Sequence, residues 1–106
     1  MSRYMFIARY DSAGVQGVVS KGGSARAAVI EQAAKAAGGQ MLTFDFAFGE
    51  DDVYTLLELP DNKAAAAMAL AVNATGLTHV RTVVLISPED IDAATKQEVS
   101  YTPPGQ

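Results

Sequence analysis

The chain has 106 residues, 49% of them apolar and 19% charged, and a net charge of −4. One domain fits that length, and so apolar a composition excludes a disordered chain. Acids outnumber bases 12 to 8 and cysteine is absent; no nucleic-acid partner is expected, and disulfides, thiolate nucleophiles and cysteine-based metal centres are excluded.

Tyr4 to Tyr10 is aromatic and aliphatic and stops at Asp11-Ser12, which predicts the first strand. Its apolar run is broken by Arg9, too early for a signal peptide, and the longest apolar run, Ala64 to Val72, falls short of the ~20 residues that span a bilayer. The chain therefore reads as cytoplasmic, with no membrane partner. Asp11 or Ser12 can cap a short helical turn through Ser20, broken by Lys21-Gly22-Gly23. Ser24 is a suitable N-cap for a helix over Ala25 to Ala37, closed by Gly38-Gly39.

Two strands follow, Met41 to Phe48 and Asp52 to Leu59, and the three turn-prone residues Gly49-Glu50-Asp51 predict a tight hairpin. Pro60 ends the second of these strands, and Asp61 or Asn62 caps an alanine-rich helix over Lys63 to Asn73. Thr78 to Ile86 is the last strand. Ser87-Pro88-Glu89-Asp90 places serine at an N-cap, proline at N1 and acids in the first turn of a helix running to about Gln97. Residues 1–97 form the domain, and 98–106 an extended tail.

The order β-α-β-β-α-β is the ferredoxin-like split arrangement, an α+β fold with a four-stranded antiparallel sheet. Right-handed crossovers put both main helices on one face. The opposite face should be polar if it met water, yet each of the last three strands carries apolar residues in both alternating rows: Phe44 and Met41 in the second, Leu57 and Leu56 in the third, Val84 and Val83 in the fourth. A monomer rarely exposes so large an apolar patch. The expected partner is a second copy of the chain, the alternative being cover by the C-terminal helix and tail.

Phe48-Gly49-Glu50-Asp51-Asp52-Val53, Pro60-Asp61-Asn62-Lys63, Val80-Arg81-Thr82 and the closing Tyr101-Thr102-Pro103-Pro104-Gly105 together resemble the GYD-domain proteins. The family's Gly-x-Tyr-Asp signature is matched by Gly49 and Asp52, with Asp51 where the tyrosine would stand. The resemblance implies a ferredoxin-like fold related to the dimeric α/β barrels, in which two sheets pack face to face. It implies no single activity, since relatives of that fold include cofactorless oxygenases, isomerases, haem enzymes and ligand sensors.

Few residues suggest chemistry. His79, the one histidine, is the candidate general base, with Arg81 or Tyr10 to stabilise an anion. No acid or nucleophile is spaced to orient it, and a solvated rim histidine is the plainer expectation. Glu50, Asp51 and Asp52 supply oxygens at one hairpin, but the ligand count is low for Mg2+ or Ca2+, so no metal and no cofactor is expected. Lys21, Ser24 and Arg26 surround a glycine pair at a helix start and form the best candidate anion site, without the spacing of a P-loop. Asp45, on a strand where a polar group inside a barrel must pair or meet a ligand, joins them as a candidate ligand-binding residue, as does Asp52 of the hairpin, whose plainer reading is a bond back to turn amides. The function expected is a homo-oligomeric domain that binds a small molecule or serves a structural role; the alternative is a cofactorless oxygenase or isomerase acting on a hydrophobic small molecule.

Overall fold

A computed structural model describes residues 1–106. Four strands, β1 (Ser2–Tyr10), β2 (Gln40–Phe46), β3 (Val53–Leu59) and β4 (Thr78–Leu85), form one antiparallel sheet in the order β2-β3-β1-β4. That order with two intervening helical crossovers is the expected ferredoxin-like α+β fold. The helices are α1 (Ser12–Lys21), α2 (Gly23–Ala36), α3 (Asn62–Asn73) and α4 (Pro88–Ala94).

One face of the sheet carries the core. Tyr4 and Phe6 of β1 and Leu57 and Leu59 of β3 are buried against Ile30 and Ala34 of α2 and Ala65 and Met68 of α3, and Ala8 and Val53 are buried on the same face. Alanines on both helices let them lie close to the strands. Polar groups in this layer are paired. The Tyr4 hydroxyl donates to Asn62 Oδ1 at 2.7 Å, and Thr55 donates to the Thr43 carbonyl at 2.7 Å. The α3 cap is therefore Asp61, whose Oδ1 accepts from the Ala64 N–H at 2.9 Å, while Asn62 serves the core tyrosine. At the other end of α3, Asn73 accepts from the Val80 N–H at 2.7 Å and donates to its carbonyl, satisfying the outer edge of β4.

Several boundaries differ from expectation, each for a local reason. Residues 12–21 form a full helix rather than a turn, because Asp11 Oδ1 accepts from the Gly14 N–H at 2.8 Å and nucleates it. Gly22, at φ 88°, ends α1 and serves as the N-cap position of α2, so Ser24 lies inside the first turn and caps nothing. β2 ends at Phe46, and the connection to β3 is a wide loop closed by the Ala47 N–H to the Asp52 carbonyl at 2.8 Å, not a tight hairpin. A bulge at Leu42 shifts register between Met41 and Thr43, so Met41 joins Phe44 and Phe46 on the helix side. α4 stops at Ala94, with Thr95 at its C-cap.

The opposite face of the sheet is open. At its centre Val83 and Leu85 are exposed, Met5 and Leu56 half-buried and Ile7 buried, with Arg3 and Glu58 towards one end and Arg9, His79 and Arg81 towards the other. Neither α4 nor the tail covers it: no residue from Arg81 to Gln106 is buried. The radius of gyration is 17.0 Å, against ~13 Å for a compact chain of this length, because the C-terminal segment projects from the body.

Candidate functional site

Two recesses contain the residues that sequence singled out, and they lie on opposite faces of the sheet. The first is built where α1 and α2 meet over the end of β1. Gly14 brings α1 against the loop before β4; a Cβ there would stand 2.5 Å from the Leu77 carbonyl oxygen, so only glycine allows that approach. Gly22 then turns the chain directly into α2, and its N–H donates to the Val18 carbonyl at 2.7 Å.

Between the two helices and Tyr10 lies a cavity of about 310 Å3, with Val18, Ala25, Val29 and Leu77 among its walls. Lys21 and Arg26 are its charged residues, and no carboxylate lines it. The half-buried Arg26 holds its guanidinium 5.9 Å from the centre of the Tyr10 ring, a cation–π contact that fixes both groups. Gly17 leaves the wall open, with nothing within 4 Å of where a Cβ would be. Ser24 is exposed and does not line the cavity.

The second recess, about 320 Å3, lies at one end of the open face between Ile7, Arg9, Glu50, Asp51, His79 and Arg81. Arg81 Nη2 donates to Asp51 Oδ2 at 3.0 Å, and that hydrogen bond, with the carboxylate's charge, pushes the Arg81 pKa up. His79 is exposed, lies opposite Arg9 in the β1–β4 register and makes no side-chain hydrogen bond. Asp45 is exposed on β2, opposite Tyr54. The three hairpin acids diverge: Asp51 meets Arg81, while Asp52 Oδ2 accepts from the Tyr10 N–H at 2.9 Å. No three potential metal-ligating side chains converge anywhere in the chain.

His79 and Arg81 thus share one recess, and Tyr10 belongs to the other. Strand alternation accounts for the separation, since Tyr10 follows Tyr4, Phe6 and Ala8 on the helix side. Lys21 and Arg26 come together with Tyr10; Asp45 and Asp52 join neither pocket's lining. Sequence reasoning missed Gly14, Gly17, Val18, Val29 and Leu77. Two glycines three residues apart on one helix were the available signal, since that spacing puts both on one helical face.

At the far end of the open face, Glu58 accepts from Gln40 Nε2 at 2.6 Å and pairs with Arg3 at 3.5 Å. The Gln40 hydrogen bond first, and then Arg3, hold its carboxyl below the ordinary glutamate value.

Fold and cavity together define a ferredoxin-like α+β domain with a ligand-sized, cation-lined pocket at one corner. The chain belongs to the GYD domain family, whose model matches residues 4–95. No curated protein and no solved structure gives a significant match. No helix is long and apolar enough to cross a membrane.

Proposed function

We propose that this protein is a homo-oligomeric binding module that takes a small apolar monoanion, such as an aromatic or aliphatic carboxylate, between α1, α2 and Tyr10. One observation carries this: the cavity has apolar walls, two cations and no carboxylate in its lining. Small-molecule sites are mostly apolar with a few polar groups that fix orientation, and they start at volumes of ~300 Å3. An anion that brings its own apolar body would gain from both parts of the wall, and Arg26 is already oriented by Tyr10.

The oligomer is inferred from the open face, whose centre is apolar and which the chain's own C-terminal segment leaves uncovered. Two copies packed through that face would form a barrel of the kind the resemblance implied. Lys21 and Arg26 would lie outside its interior, on the helical layer.

A second function, a cofactorless enzyme with His79 as base, draws on the common recess of His79, Arg9 and Arg81. It ranks behind binding because Arg81 is already held by Asp51 and nothing orients the imidazole.

The discriminating experiment is a thermal-shift series pairing carboxylates with uncharged amides of the same shape. Carboxylates should raise the melting temperature and the amides should not, because a ligand preferring the folded state stabilises it. The shift should vanish in Lys21→Ala/Arg26→Ala. Equal shifts from both series, or a shift that survives in the double variant, would refute the anion pocket.

A further inference from the structure

We infer that the C-terminal arm, residues 86–106, is exchanged between two copies, with the acidic α4 of one lying against Arg9 and His79 of the other. This rests on the pairing of open faces proposed above and adds its direction and its second component.

Area gives the first reason. Four strands ~4.8 Å apart and ~23 Å long cover only ~440 Å2, about half of the ~800 Å2 that each partner of a stable interface buries. The arm supplies what the sheet lacks. It carries Ile86, Ile91, Val99 and Tyr101, all exposed, the last two at 80% and 70%. α4 has no extensive contact with any other element, which leaves the arm free to lie on a second copy.

Charge gives the direction. α4 carries Glu89, Asp90 and Asp92 and no cation. It leaves the sheet at the Arg3–Leu85 end of the open face, where its first turn lines one cleft with Met1, Arg3 and Glu58, the last two already paired. A two-fold axis parallel to the strands would bring this acidic end onto the same end of the partner. An axis across the strands lays β4 over β4 in opposite senses and brings α4 above the partner's His79 end. There Arg9 has no ion-pair partner and His79 has no hydrogen bond; of the two acids in that recess Asp51 is neutralised by Arg81 and Glu50 offsets Arg9, so the end is near neutral where α4 carries three acids. Like charges repel and complementary ones fix register, so the second arrangement is favoured.

The chain has no cysteine, so introduced ones report alone. Full-length chains carrying Ala93→Cys or His79→Cys are mixed and treated with a short bismaleimide, beside light-scattering masses of each. The account expects the mixed 93–79 product in excess over either self-linked product. It also expects Arg9→Glu to weaken dimerisation about tenfold and Asp92→Arg to restore it in the double variant. Dominance of the 93–93 product, or a dimer mass without any 93–79 link, would overturn the exchanged arm while leaving paired faces standing. A monomer mass would remove the pairing itself.

Discussion

Asp52 holds the end of β1 from the β2–β3 loop: its Oδ2 accepts from the Tyr10 N–H at 2.9 Å, and its own N–H donates to the Ala8 carbonyl at 2.8 Å. Asp52 thus fastens the loop to the strand that presents Tyr10 to the pocket. Asp52→Ala leaves a half-buried amide unpaired, at a cost of about 1–3 kcal/mol. Calorimetry should show the melting temperature lowered by about 5–15 °C. An unchanged transition would mean that the loop is held by other contacts.

Gly39 marks the closest approach of the α2–β2 turn to β3. A Cβ at this position would overlap the Glu58 carbonyl, and that backbone atom belongs to the sheet and cannot swing away. Gly39→Ala should therefore destabilise by about 2 kcal/mol or more, read as a lower denaturation midpoint at constant slope.

Gly17 separates stability from binding. Gly17→Leu places a side chain into open space beside the pocket and replaces a helix-interior glycine, which should stabilise by about 0.5–1 kcal/mol. The same side chain occupies the cavity, so carboxylate-induced thermal shifts should disappear while the unliganded protein melts higher. Retention of the shifts would place the ligand elsewhere.

Glu58 gives the acid response a named contributor. Its carboxyl is held below the usual value of 4.5 by Gln40 and then by Arg3. A depressed carboxylate stabilises the fold at pH values above its unfolded pKa and loses that contribution as pH falls through the folded one. Stability should fall on acidification below about pH 4.5. The fall should be shallower in Glu58→Gln, measured by urea denaturation across that range. Identical slopes would leave Glu58 without this role.

The order of elements was legible because each boundary has a local cause. Asp61 and Ser87 cap where cap residues were read, and Pro60 and Gly76 lie just past the ends of β3 and α3. The bulge at Leu42 was not legible, since a run of apolar residues has no period to reveal one extra residue. α1 was underestimated because Gly14 and Gly17 lower helix propensity, although the first is needed for packing and the second opens the pocket. Lys21 and Arg26 were legible as neighbours in sequence. The Arg81–Asp51 pair spans 30 residues and follows only from the fold. Tyr10 was grouped with His79 and Arg81 because the strand's alternation was not carried through to its last residue.

The most direct measurement is the solution mass of the full chain by light scattering at micromolar concentration. If the greasy side of the sheet is hidden by an identical subunit, the mass is twice that of one chain or a higher multiple. A single-chain mass there would contradict the account at its base.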